Sequence, residues 1–518
     1  MTENLRTLAL EAAAASTAQA DPDYPLVHLA PPVGRLNDPN GLLVSAGTCH
    51  AFYQYTPMHG TRRLVYWGHA SSTDLLHWQH HEPAVVPDSF YDVNGAYSGN
   101  AIVLEDEELA HAPAGAPYQL FYTGNVKDPR TDERTASQCL VTSPDLATFT
   151  KWPGNPLLPT HAPGYTAHFR DPQVMRDPER PGGYRMLLGV QREDSTGAAL
   201  VYRSADLVSW ELDGEITFPG AGGRLDALGY MWECPGLVTL TDELTQEEWD
   251  VLVFCPQGAA SGAAGGYRTV FPCVYTVGHL VGTEMRDCDG TLRQVDHGFE
   301  FYAPQVFARR PSEPGPVLLS GWAGNAGQDD QPSIGTGCWV HCLTVPRALS
   351  LRGGRLVQRP AVPLGRDAVE AGAGEASSAD LAVLEGHRSW HLVLDLERQA
   401  GEGGAQDVPE AEAGARLTIG DEECFVTVEL VAGGAPRLVI DRGLSRYHEP
   451  EAVRVVDLDP GTTLRLEVVH DRSVTEVFVG DGDLAATFRS FVAPTATGAR
   501  LVCGAGLRVA GLRAAALD

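Results

Sequence analysis

The chain has 518 residues, 43% of them hydrophobic and 20% charged, with a formal net charge of −29. This length requires more than one core, and 67 acidic against 38 basic residues exclude a nucleic-acid partner, which wants a basic face. No apolar run is long enough to span a membrane, so a membrane is not an expected partner either.

Residues 1–20 are expected to form a helical extension. Leu8 to Ala20 is alanine-rich and ends in Ala-Gln-Ala, which mimics an export cleavage site, but Glu11 interrupts the apolar stretch and Arg6 is the one basic residue at the start. A short amphipathic helix is the better reading. The 56 glycines and 36 prolines suit many short strands joined by turns.

Residues 21–351 carry an internal repeat. Five apolar strands recur: Cys49–Tyr55, Tyr118–Gly124, Tyr184–Val190, Asp250–Pro256 and Pro316–Trp322. Counted at His50, Tyr118, Tyr184, Asp250 and Val317, their spacings are 68, 66, 66 and 67. A second signature follows three of them: Ser72-Thr-Asp-Leu-Leu-His-Trp78, Ser143-Pro-Asp-Leu-Ala-Thr-Phe149 and Ser204-Ala-Asp-Leu-Val-Ser-Trp210. Five equal β-rich units predict an all-β fold with a closed ring of sheets, a five-bladed β-propeller. A large sandwich with coincidental spacing is the competing reading, and near-equal intervals weigh against it. Residues 352–366 read as a linker and residues 367–518 as a C-terminal β-sandwich, with alternating strands such as Leu464–Val469 and Val474–Val479. Within that domain Gly401–Gly414 reads as a solvated loop.

Polar clusters precede the repeat strands at a similar offset. Asp38 lies 12 residues before His50, Ser98 20 before Tyr118, Asp171 13 before Tyr184, Glu233 17 before Asp250 and Tyr302 15 before Val317. The innermost strand of a propeller blade lines the central channel, so clusters on those strands converge on one funnel. Three of them are carboxylates, in the islands Leu36-Asn-Asp-Pro-Asn-Gly41, Phe169-Arg-Asp-Pro172 and Met231-Trp-Glu-Cys-Pro235. Taken singly, each has a structural reading. Asp-Pro-Asn-Gly is a good turn, Arg170 and Asp171 can form an ion pair, and Glu233 can be a surface carboxylate beside Trp232. The shared offset favours chemistry. Hydrolysing a glycoside with retention needs a nucleophilic carboxylate and a carboxylic acid about 5–5.5 Å apart. A third carboxylate can hold sugar hydroxyls whose hydrogen bonds tighten at the transition state.

The ten cysteines form no CxxC pair, so neither a zinc site nor a disulfide framework is expected, and a reducing, cytoplasmic location fits them. The chemistry outlined above needs only carboxylates and water, so no metal and no cofactor is expected.

The stretch His28-Leu-Ala-Pro-Pro-Val-Gly-Arg-Leu-Asn-Asp-Pro-Asn-Gly41 resembles the signature of glycoside hydrolase family 32, the β-fructofuranosidases. The resemblance continues through Phe52-Tyr-Gln-Tyr55, Trp67-Gly-His-Ala70, Phe169-Arg-Asp-Pro172, Trp232-Glu-Cys-Pro235, Phe299-Glu-Phe-Tyr-Ala-Pro-Gln305, Leu343-Thr-Val-Pro-Arg347 and Asp471-Arg-Ser-Val-Thr-Glu-Val-Phe478. It implies a five-bladed propeller followed by a sandwich. It implies Asp38 as nucleophile, Glu233 as general acid/base and Asp171 as transition-state stabiliser, with Arg170 beside it. Asn37, Gln54, Trp67, Ser98, Tyr302 and Trp322 match positions that bind substrate. Cys234 would tune its neighbour Glu233. Where the family usually has a tryptophan beside the fructose, this chain has Arg62, followed by Arg63. The pair is either solvated or helps to meet a substrate phosphate.

The stretches Tyr122-Thr-Gly-Asn-Val-Lys127, Gly164-Tyr-Thr-Ala-His-Phe-Arg-Asp171 and Leu228-Gly-Tyr-Met-Trp-Glu-Cys-Pro235 resemble the intracellular sucrose-6-phosphate hydrolases of the family. The expected partner is therefore a small sugar, sucrose or sucrose 6-phosphate. Short fructans, fructosyl transfer to another sugar and a non-catalytic fructan-binding propeller are the alternatives. A second copy of the chain, in a homo-oligomer, is a further candidate partner.

Overall fold

The computed structural model describes residues 4–59, 63–222, 225, 228–259, 271–327, 330–362, 369–371, 378–398, 414–433, 435–504 and 507–518. A helix at Leu5–Ala14 opens it, with the Asn4 side chain capping the Thr7 amide at 3.3 Å. The helix lies on the first sheet: Ala9 is buried, Arg6 Nη1 donates to the Pro83 carbonyl at 2.7 Å, and Tyr66 donates to the Leu5 carbonyl at 3.2 Å.

Five sheets follow, each running outward from an inner strand: Gly34–Ser45, Ala101–Val103, Tyr165–Arg176, Met231–Thr241 and Tyr302–Val306. The apolar repeat strands of the sequence are the second strands, within Thr48–Thr56, Tyr118–Lys127, Tyr184–Arg192, Glu248–Gln257 and Val317–Ala323. A second strand has neighbours on both edges and packing on both faces, so it reads as a nearly continuous apolar run. The inner strands touch one another in sheet order and the fifth touches the first, which closes a cycle. Trp339–Val340 then pairs in parallel with Gly34 and Arg35, tying late chain to the first inner strand. This is the ring that the repeat predicts.

The Ser-x-Asp-Leu signature is a turn between the third and fourth strands. Ser72 Oγ accepts from the Leu75 amide at 2.9 Å, and Asp74 Oδ1 accepts from the amides of Leu76 and His77 at 2.9 and 2.8 Å. Ser143 with Asp145 and Ser204 with Asp206 repeat the pattern, and Leu75, Leu146 and Leu207 all have positive φ, at 66, 58 and 66°. The side chains satisfy the donors that such a turn leaves unpaired.

Residues 352–362 depart from the expectation of a linker over 352–366, and residues 363–366 lie outside the described residues. Arg355–Pro360 is a strand paired with Arg347–Arg352 at the outer edge of the fifth sheet. Gly353 and Gly354, with φ of 58 and 72°, make the two-residue turn between them; positive φ at both positions suits glycine and matches the twist of a hairpin.

Two sheets make the C-terminal sandwich. One has six strands, including Ser389–Arg398, Arg465–Asp471, Val474–Val479 and Leu507–Ala516; the other has five, including Gly414–Gly420 and Phe425–Val431. Burial alternates along Phe425–Val431, where Val426, Val428 and Leu430 point into the core. Of the stretch expected to be a loop, residues 401–413 lie outside the described residues.

The motif Asp471–Phe478 fastens this sandwich to the ring. Asp471 accepts from the amides of Leu26, Val27 and His28 at 2.9, 2.9 and 3.0 Å. Glu476 accepts from the Val345 amide at 2.7 Å and from Arg347 Nε at 2.9 Å. His28 bridges the two, with Nδ1 on Asp471 and Nε2 on Glu476, both at 3.0 Å and fully buried. Both ring nitrogens can donate only in the imidazolium. Burial alone would lower the pKa of His28, but the two carboxylates outweigh it and raise it.

Candidate active site

Bulges in the inner strands position the site. In the third, fourth and fifth sheets the register slips across Arg170/Gln173, Glu233/Gly236 and Tyr302/Gln305, and in the first across Leu36/Pro39. The slipped residue has positive φ in three of them: 63° at Asp171, 48° at Cys234 and 47° at Ala303. Each is followed by a proline, which has no N–H to return to the ladder, so the break stays where it is. Asp38 and Asp171 sit inside their bulges, whereas Glu233 sits one residue before its own, in the position of Arg170 and Tyr302. The common offset read from the sequence therefore hides a one-residue stagger. That stagger gives the three carboxylates different directions of approach.

Side-chain amides hold the inner strands to one another. Asn100 Nδ2 donates to the Val174 carbonyl at 3.0 Å and Oδ1 accepts from the Val174 amide at 2.8 Å. Gln173 makes the same pair of bonds with Leu237, at 3.1 and 2.7 Å. Gln305 Nε2 donates to the Gly99 carbonyl at 2.8 Å. Ser98, Asp171 and Glu233 are thus fixed relative to each other by groups one to four residues away.

Asp38 is fixed by three donors. Its Oδ2 accepts from Ser98 Oγ at 2.5 Å and Gln54 Nε2 at 2.9 Å, and its Oδ1 from Asn37 Nδ2 at 3.3 Å. Glu233 has both oxygens occupied. Arg170 donates to Oε1 from Nη2 at 2.6 Å and Nε at 3.2 Å, and Tyr302 donates to Oε2 at 2.6 Å. Asp171 Oδ2 accepts from the Cys234 amide at 3.0 Å and lies 3.9 Å from Arg170 Nε. Trp322 flanks Tyr302 edge-on, with ring centroids 6.3 Å apart.

Electrostatics act on both aspartates. Burial raises Asp38, against the Ser98 hydrogen bond, and the negative charge of Glu233 adds to the rise. Burial pushes Asp171 up to about 7; Arg170 opposes this, and Glu233 and Asp38 reinforce it. Mutual repulsion of this kind requires all three to share one dry space. A cavity of about 30 Å³ adjoins Asp171, lined by Asn100, Gln173, Cys234 and Gln305 among others. That holds about one water and is too small for a sugar.

Of the residues singled out in the sequence, Asn37, Asp38, Gln54, Ser98, Arg170, Asp171, Glu233, Tyr302 and Trp322 converge on this funnel. Trp67 does not. It is fully buried between Phe52 and Tyr122, and its indole donates to the Tyr97 carbonyl at 3.0 Å. It supports the short strand Ala96–Tyr97 that directly precedes Ser98. Cys234 is a correction of another kind: its backbone N–H, not its thiol, makes the polar contact, and the contact falls on Asp171 rather than Glu233. Burial drives the thiol well above its usual range, so it stays protonated. Arg62 lies outside the described residues, and Arg63 is exposed. Sequence reading missed Thr123, whose Oγ1 accepts from the Asp171 amide at 3.1 Å, and His168 and Gln257, which accept from Arg170 at 3.0 and 3.4 Å. A buried threonine in the mostly apolar run Leu120–Gly124 was the available signal for the first.

The chain matches two family models, "Glycosyl hydrolases family 32 N-terminal domain" over residues 28–360 and "Glycosyl hydrolases family 32 C terminal" over residues 435–514. It is 37% identical to the sucrose-6-phosphate hydrolase of Klebsiella pneumoniae over 479 residues, covering 92% of this chain and 90% of that protein. It is 32% identical to the raffinose invertase of Escherichia coli, over 92% and 91% of the two chains. Among solved structures, the sucrose-6-phosphate hydrolase of Lactobacillus gasseri superposes with a TM-score of 0.80 at 26% identity, covering 99% of this chain and 96% of that one.

Proposed function

The chain belongs to glycosyl hydrolase family 32, and from that premise we propose that it is a retaining β-fructofuranosidase acting on sucrose or sucrose 6-phosphate. The observation that carries this reading is the division of labour between Asp38 and Glu233. Asp38 Oδ2 is occupied by Ser98 and Gln54, while Oδ1 has a single long bond to Asn37 at 3.3 Å. Oδ1 is the oxygen free to attack the anomeric carbon of the fructosyl unit.

In the first step the Asp38 oxygen bonds to that carbon, the glycosidic C–O bond breaks, and Glu233 gives a proton to the leaving sugar oxygen. In the second, Glu233 takes a proton from water, the hydroxide adds to the same carbon, and Asp38 is released. Asp171 binds fructose hydroxyls; hydrogen bonds to its charge strengthen as the ring becomes oxocarbenium-like. Arg170 and Tyr302 aim the Glu233 carboxyl. The ten cysteines are all free, which supports a reducing, cytoplasmic setting, where phosphorylated sugars are kept. No described helix is long and apolar enough to cross a membrane.

The test is release of fructose and glucose (or glucose 6-phosphate) by the wild type, by Asp38→Ala and by Glu233→Gln. Mass spectrometry of acid-quenched Glu233→Gln should find a fructosyl adduct on the peptide carrying Asp38. An Asp38→Ala variant with full activity would overturn the mechanism. A wild type that binds fructosides without cleaving them would replace it with a binding role.

A further inference from the structure

The funnel mouth on the side of Glu233 carries three polar groups that the mechanism does not use. Arg134 is half-buried at the start of the strand Arg134–Ser143, with its guanidinium carbon 5.9 Å above the ring of Tyr97. Tyr97 directly precedes Ser98, which holds Asp38. The neighbouring basic residues of the same hairpin are neutralised, Lys127 by Asp132 at 2.6 Å and Arg130 by Asp128 at 3.6 Å. Arg134 has no carboxylate or hydrogen-bond partner among the described residues. The hydroxyl of Tyr230, on a residue 37% exposed, is likewise unpartnered there.

Tyr230 packs edge-on against His168, with ring centroids 5.8 Å apart. His168 Nδ1 receives the Arg170 Nη1 hydrogen bond at 3.0 Å, which places the ring proton on Nε2 and makes that nitrogen a donor. Burial, with Arg170 and Arg134 nearby, lowers His168 to about 4, so the ring stays neutral near pH 7. The mouth thus presents a guanidinium, a phenol and an imidazole N–H, three donors without an anion among the described residues. The chain as a whole carries a net charge of −29 and repels anions. A dianionic substrate is held only where a local cation is left unpaired.

We propose that Arg134, with Tyr230 and His168, forms an anion subsite for a phosphate on the leaving sugar, so that the preferred substrate class is a phosphorylated disaccharide. The subsite lies on the leaving-group side because His168 reaches the centre through Arg170 and Glu233, the group that faces the leaving oxygen. This rests on the fructofuranosidase reading above. It also moves the expected phosphate contact from Arg62 and Arg63 to Arg134.

The experiment compares kcat/KM for sucrose 6-phosphate and for sucrose in the wild type, Arg134→Ala and Tyr230→Phe. The ratio of the two should fall about tenfold to a hundredfold in Arg134→Ala, mainly through KM for the phosphorylated sugar, and less in Tyr230→Phe. Inorganic phosphate should compete with sucrose 6-phosphate in the wild type and lose that effect in Arg134→Ala. An unchanged ratio in Arg134→Ala overturns the subsite, as does a wild type that does not prefer the phosphorylated sugar. A wild type that cleaves neither sugar overturns the underlying activity instead, so the two failures are distinct.

Discussion

Arg170 and Glu233 stand on neighbouring inner strands, and the guanidinium grips one carboxylate oxygen twice, from Nη2 at 2.6 Å and from Nε at 3.2 Å. The same guanidinium lies 3.9 Å from Asp171 and donates to His168 and Gln257. One planar group therefore sets the direction of the proposed acid and touches the proposed stabiliser.

A lysine cannot reproduce that fork. Arg170→Lys should lower kcat by roughly 10²- to 10³-fold, about 3–4 kcal/mol of transition-state stabilisation, with a smaller change in KM. Steady-state kinetics on sucrose check this, and a drop below about threefold would show that Arg170 is only a structural ion-pair partner.

Asp171 ties activity to stability with a definite sign. Burial raises its folded pKa to about 7, well above the ordinary carboxylate range. A raised pKa means that the folded state binds the proton more tightly, so this contribution is present below pH 4 and is lost as pH rises through 7. Asp171→Asn escapes that loss. Its stability should climb relative to wild type between pH 5 and 8, by on the order of 1–4 kcal/mol and read as a growing difference in melting temperature, while activity falls at least about a hundredfold. Calorimetry across that range is the measurement, and a constant difference in melting temperature would contradict the electrostatic account.

The junction of ring and sandwich should weaken at both ends of the pH scale. Asp471 and Glu476 are buried, which alone would raise them, but His28, Arg347 and backbone amides hold both below their usual values. Their contribution is present above about pH 4 and lost as acid protonates them. His28 is raised, so its contribution is complete below about 6.5 and lost as pH passes its folded value. His28→Gln leaves two buried carboxylates short of a cation and should cost about 3–5 kcal/mol. Limited proteolysis between residues 360 and 390, followed against pH, should show cutting earlier in the variant.

The repeated turns offer an internal control. Asp145 Oδ1 accepts from the amides of Ala147 and Thr148 at 3.0 and 2.7 Å, and Asp206 from those of Val208 and Ser209 at 2.9 and 2.7 Å. Alanine at Asp74, Asp145 or Asp206 should each cost about 1 kcal/mol, with activity kept. Urea midpoints compare the three, and unequal losses would mean that the turns are not equivalent.

The sequence by itself determined the repeat and singled out the three candidate carboxylates. The second strands were legible because they are buried on both faces, and that burial writes an apolar run every 66 to 68 residues. Asp38, Asp171 and Glu233 stood out because each sits in a polar island at a similar offset ahead of such a strand, one or two residues before a proline. Trp67 was read into the funnel because an aromatic residue in a motif looks the same whether it faces a sugar or a core. The segment Arg355–Pro360 was read as linker because six residues at a sheet edge carry too little pattern to stand out.

Only the tertiary structure decided the stagger that puts Glu233 one residue out of step with Asp38 and Asp171. It alone brought Arg170 to Glu233, 63 residues away, and His168, Tyr230 and Arg134 to one rim. Bulges and inter-strand amide bonds set those directions, and both depend on which strand lies beside which. A linear pattern records whether a residue prefers burial. It does not record which neighbour the ring will place against it.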